Sequence, residues 1–159
     1  MMSSLLNAML SQSGTGQSLT VREVSKFTAP EIRQTMAALV HANHMDLADA
    51  LSAAGLSLYP DSEDILAISA LLAEMKQDWN TAEQLLNQLI TLQGEKTTST
   101  TWLHLIRVLR CQCEPGRALL TAKQALSAYP EDTLLHDEYS SLQELVSEHM
   151  PVAASTQLH

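Results

Sequence analysis

"LSLYPDSED" occupies residues 56–64, and "LSAYPED" occupies residues 126–132. The phrase Leu-Ser-X-Tyr-Pro-acid is thus written twice in a chain of 159 residues. A helix usually ends before the residue preceding proline, because the ring pushes that residue out of the α region. Each phrase therefore reads as the end of one helix followed by an acidic start for the next. Two such corners point to one structural unit used more than once.

Ahead of the first corner, Thr28 and Glu31 have the spacing of a capping box, with Phe27 and Ile32 placed as a hydrophobic staple. Pro30 falls in the first turn, where its missing N–H does no harm. Ile32, Met36, Leu39 and Val40 then recur at helical steps, which predicts a helix with one apolar face. "HANHMD" breaks it, and "LADALSAAGLSLY" is the returning helix that Pro60 stops.

The pattern restarts at Asp61, read as the next cap, with Ile65, Leu66, Leu72 and Met75 in the apolar set. "KQDWN" is the turn, and "TAEQLLNQLITLQ" returns until Gly94 ends it. A third start, "TTSTTWLHLIRVLRC", is entered through a Ser/Thr cluster. "CEPGR" turns it, and "ALLTAKQALSAY" runs back to Pro130. A last helix over about 133–149 carries Leu135, Tyr139, Leu142 and Val146 on one face. Near the N-terminus, a short amphipathic piece (Leu5, Leu6, Met9, Leu10) precedes the polar loop "QSGTGQSL" and a short helix at about 20–26.

Composition agrees with helices. Aromatic residues are 4% and hydrophobic residues 45%, with Ala and Leu, both strong helix formers, abundant. Five Gly and five Pro are few for a β-sandwich. The net charge of −9 opposes a nucleic-acid surface, which needs cations in excess. No lysine or arginine follows Lys123, while six carboxylates do; they read as a solvated face or an acidic docking surface. Cys111 and Cys113 form a C-x-C pair inside a helical segment, a spacing that suits neither a disulfide nor zinc. Reduced thiols fit a cytoplasmic protein. The N-terminal stretch lacks a basic region and its apolar run is broken by Asn7, so no signal peptide is expected. No apolar run is long enough for a membrane span.

Aligning Pro60 with Pro130 divides the chain into units 29–62, 63–98 and 99–132, with periods of 34 and 36 residues. Counting Ser99 as position 1, Trp102 stands at 4, Leu105 at 7, Leu109 at 11, Ala118 at 20, Ala125 at 27 and Pro130 at 32. Ile32, Leu39, Ala48, Gly55 and Pro60 occupy matching places in the first unit, and Leu66, Ala70 and Ala82 in the second. This pattern resembles the tetratricopeptide repeat (TPR) family, whose period is 34. Met36 and Ile106 depart from it at position 8, Leu89 departs at 27, and the second unit lacks its proline.

The resemblance implies an all-α fold. It comprises an N-terminal helical arm and loop (1–28), three stacked αα-hairpins and a capping helix (133–149) within a repeat domain 29–150, and a tail 151–159. It implies a concave groove lined by the first helices. Carried over by position, the first unit contributes Arg33, Ala37, Val40 and His41, beside Pro30. The second contributes Ala67, Leu71, Glu74 and Met75, beside Asp64. The third contributes Leu103, Arg107 and Arg110, beside Thr100 and Cys111. Arg107 and Arg110, three apart, would clamp a client's carboxylate, or else pair with Glu74 or Glu114. Methionines at helical spacing, Met75 included, read first as core.

No catalytic set is present. There is no phosphate loop, no G-x-S-x-G and no H-E-x-x-H. His41 with His44, and His104 with Cys111, are read as solvated or packed side chains rather than ligands or a nucleophile pair. The expectation is a non-enzymatic module without cofactor or metal that binds a protein or peptide client. Its layout resembles that of small cytosolic chaperones of bacterial type III secretion systems. The rival is a homo-oligomeric assembly subunit, dimerised by the N-terminal arm on another copy's groove.

Overall fold

A computed structural model describes residues 4–12 and 20–149. The described residues form helices joined by short turns, with no strand among them. The chain divides into two compact units, residues 1–94 and 95–159.

The first unit opens with α1 (Ser4–Gln12) and α2 (Val21–Val24), followed by the hairpins α3 (Ala29–His41)–α4 (Met45–Leu58) and α5 (Glu63–Met75)–α6 (Trp79–Gln93). The capping box at the start of α3 is formed. Thr28 N–H donates to Glu31 Oε2 at 2.7 Å, and Glu31 N–H donates to Thr28 Oγ1 at 3.3 Å. Thr20 and Glu23 repeat it at α2. The cap of α5 is Ser62, whose Oγ accepts from Ile65 N–H, and not Asp61 as the sequence suggested. The serine sits one residue before the first helical turn, which is where a side-chain oxygen reaches the free N–H groups.

The tyrosine of the repeated phrase has a defined task. Tyr59 Oη donates to the Phe27 carbonyl at 2.6 Å, tying the end of α4 to the residue before the cap of α3. The other corner is built the same way in the second unit, where Tyr129 Oη donates to the Thr97 carbonyl at 2.5 Å. Each bond closes a hairpin by joining its last residue to its entrance.

The turns inside the hairpins share one geometry. Asn43, Gln77 and Cys113 have φ of 63°, 61° and 60°. The following N–H groups of His44, Asp78 and Glu114 reach back to the carbonyls of Leu39, Ala73 and Leu109 at 2.8–2.9 Å. This is the Schellman ending of a helix, in which a left-handed residue lets a late N–H satisfy an early carbonyl. Cys113 therefore lies in the turn and not within a helix as the C-x-C reading had it; Cys111 closes α7. The three residues recur at 34 and 36, the periods read from the sequence. Gly94, with φ of 58°, ends α6 as expected.

Ala48 and Ala82 are 0% exposed, as close helix crossings require. Around them Ile32, Met36, Leu39, Leu51, Ile65 and Leu66 are fully buried. A buried polar bridge, Ser52 Oγ to Ser69 Oγ at 2.8 Å, joins α4 to α5. Leu5, Leu6 and Met9 of α1 belong to this same core. α1 packs on α3, and α2 on α4. The arm expected to dock on another copy is therefore seated on its own unit. Burying Leu5, Leu6 and Met9 there removes their apolar area from water within one chain. The loop 13–19 and the tail 151–159 lie outside the described residues.

The second unit holds α7 (Ser99–Cys111), α8 (Pro115–Ala128) and α9 (Thr133–His149), with a 3₁₀ turn at Gly94–Lys96 on the boundary. Ala118, Ala122 and Ala125 line α8 at 0% exposure. Trp102, Ile106, Leu109, Leu135 and Leu142 fill the centre. The Trp102 indole Nε1 is buried with no hydrogen-bond partner. α9 packs on both α7 and α8, and so caps this unit.

Candidate partner-binding face

The first helices of the first unit, α3 and α5, are in contact. Their residues at the lining positions are exposed along a strip. Ala37 and His41 of α3 and Ala67 of α5 are exposed, and Val40 and Glu74 are half-buried. Leu71 is 41% exposed and Met75 is 52% exposed. These two stand one helical turn apart on the same face of α5, within side-chain reach of each other. The exposure of Met75 corrects its reading as core. Position 13 of the repeat points away from the α5–α6 crossing, and Leu72 beside it takes the core place at 3% exposure.

One edge of the strip is tied by charge. Arg33 Nε lies 3.3 Å from Asp64 Oδ1, joining α3 to α5 with both side chains about half exposed. On the α4 side, Lys76 Nζ bonds Asp49 Oδ2 at 2.6 Å. That hydrogen bond raises the Lys76 pKa above its ordinary value. Bonds from the Thr81 side chain and N–H hold Asp78, the cap of α6, below the usual range. Elsewhere in this unit a depression of about 690 Å³ lies between the Pro60 corner and α6, with Leu66 at its floor and Leu92 at its rim. It is open and lined by mixed side chains, and it carries no ionisable group besides Asp61.

The equivalent helix of the second unit is different. Leu103 is only 7% exposed and does not line a groove. α8 and α9 both pack on α7, so its buried residues run from Thr101 to Leu109 almost round the helix. Arg110 Nη1 donates to Glu138 Oε2 at 2.7 Å and to Ser141 Oγ at 3.3 Å. Arg107 Nε lies 3.9 Å from the other oxygen of the same carboxylate. Within this unit the partner is thus not Glu114 but Glu138, a residue of the last helix. A signal for it was present: Thr133 follows Ser99 by 34 residues, so α9 starts as a fourth first helix and brings Glu138 beside α7.

His41 ends α3, and His44 stands before α4 without a side-chain capping bond. Cys111 and Cys113 are exposed. Among the described residues, no three His, Cys, Asp or Glu side chains converge as a metal site. No described helix is long and apolar enough to cross a membrane.

No family model matches the sequence, and no curated protein matches it. Solved structures do match. YrrB, a TPR protein with an unusual peptide-binding site, is similar with a TM-score of 0.63 and 17% identity; the match covers 77% of this chain and 61% of that one. MamA MSR-1 gives 0.66 and 16%, covering 90% of this chain and 85% of that one. MamA AMB-1 gives 0.65 and 16%, covering 91% and 88%. At this identity the likeness is one of fold, and the fold is the TPR-like all-α helical repeat that the spacing of Ala48, Ala82 and Ala118 implied.

Proposed function

We propose that this chain is a protein–protein interaction module that receives a peptide or helical segment of a partner on the α3–α5 face. The observation that carries the reading is the pair Leu71 and Met75, large apolar side chains left in solvent side by side. Arg33, Ala37, Val40 and His41 would flank the segment from α3. Ala67 and Glu74 would flank it from α5, with Leu103 and Arg110 withdrawn from the primary contact and Arg107 left exposed on α7. Small alanines at the centre leave room for a visitor, and burying Leu71 and Met75 supplies apolar area on binding. YrrB, whose name includes a peptide-binding site, supports the class of function. The chain acts by binding, without a cofactor, in the cytoplasm.

A photo-crosslinking residue placed at Ala67 tests this in the native cell. Adducts with a partner are expected at Ala67 and not at Ala53, an exposed residue of α4. Equal labelling at both positions, or none at Ala67, would overturn the reading. An adduct made only with a second copy would favour an assembly subunit. The arm-plus-hairpins layout supports a narrower reading as a holding chaperone of a type III secretion system, for which the adduct must be a translocator or needle protein.

A further inference from the structure

We propose that the partner segment for the α3–α5 face is basic: two large apolar side chains flanked by lysine or arginine. This deepens the proposed function and rests on it. Residues 29–94 carry nine carboxylates against two cations, a net of −7. Both cations are already committed, Arg33 to Asp64 and Lys76 to Asp49. α4, α5 and α6 contain no lysine or arginine within their bounds. The apolar strip therefore lies on hairpins whose net charge is strongly negative. Asp64 stands one turn before Ala67, and Glu74 lies between Leu71 and Met75 in the same last turns.

An acidic segment would meet the net repulsion of the two hairpins, and a neutral one would gain only from the strip. A basic segment gains from both, because complementary charge speeds encounter and excludes wrong partners. Its affinity must fall with salt, since exposed charges are screened beyond about 8 Å at physiological ionic strength. Among the described large apolar residues of this unit that remain exposed, only Leu71 and Met75 are neighbours on one helix face; Val21 and Leu92 stand alone.

The probe is a display library of random 12-residue peptides. It is selected on the whole chain and counter-selected on the double variant Leu71→Ser/Met75→Ser. The expected survivors carry at least twice the input frequency of lysine and arginine, together with two large apolar residues. Their affinity should drop several-fold between 50 and 300 mM salt. Survivors of neutral or acidic composition would overturn the basic partner while leaving the binding face intact. A library that cannot distinguish the chain from the double variant would overturn the face as well. Circular dichroism of the double variant, expected to match the parent, guards against loss of fold.

Discussion

α5 and α7 are both first helices of a hairpin, and they put the same repeat positions to different uses. At position 9 both residues are exposed, Leu71 of α5 as an apolar side chain and Arg107 of α7 as a cation 3.9 Å from Glu138 Oε1. At position 5, Ala67 is exposed and Leu103 is buried. The hairpins themselves are alike. Each has a buried alanine at the crossing, and each first helix ends in a left-handed turn. The difference arises from what lies next to each first helix. In the second unit α9 supplies both a packing surface and a carboxylate, and Leu103 and Arg110 of α7 become structural. A repeat position thus specifies direction, and its neighbour specifies whether that direction is open.

The sharpest way to break this contrast is to truncate the two leucines. Leu103→Ala should cost about 2–5 kcal/mol, the range for a buried leucine. Leu71→Ala should change stability by less than about 0.5 kcal/mol, as for an exposed surface site. Chemical denaturation of both variants decides it. Equal losses would mean that the α5 face is covered and the comparison false.

Enlarging the crossing alanines asks instead whether the hairpins are equivalent. Ala82→Leu and Ala118→Leu should each cost about 1–3 kcal/mol through overpacking. A smaller loss in one would show that its hairpin is looser. The buried pair across α4 and α5 gives a similar test within the first unit. Ser52→Ala leaves Ser69 without its partner and should cost about 1–3 kcal/mol, while removing both hydroxyls should recover part of that loss.

The corner tyrosines should behave alike in both units. Tyr59→Phe and Tyr129→Phe each remove one hydrogen bond and should cost about 0.5–1.5 kcal/mol. A loss at only one would show that the shared phrase is not a shared device.

The smallest effect is on pH dependence. The Thr28 backbone and side-chain bonds hold the Glu31 carboxyl below its ordinary value of 4.5. Its folded pKa lies below its unfolded one, so its contribution is present above pH 4.5 and is lost as pH falls through the lowered value. Glu31→Gln should therefore lower stability slightly at neutral pH and flatten the acid limb of a thermal-stability profile, with parent and variant converging at low pH. A steeper limb would contradict the sign.

Much of this architecture was legible from local chemistry. A proline that cannot continue a helix and a threonine–glutamate box that starts one act over three or four residues. The alanines report a backbone distance that no larger side chain allows. Such rules need no knowledge of distant chain, and they placed the helices, the hairpins and the close crossings. The breaks at "HANHMD", "KQDWN" and "CEPGR" also placed the three hairpin turns, though not their left-handed residues.

What remained for tertiary structure was occupancy. Glu138 is 28 residues from Arg110, and sequence distance says nothing about which acid a guanidinium meets. Leu5 and Met9 could face another copy or their own α3, since an apolar stripe specifies a need for cover and not its source. Met75 and Leu103 have similar hydrophobicity, yet one is in solvent and the other is buried. Burial is a property of the neighbours on every side, and only the assembled helices settle which residues have them.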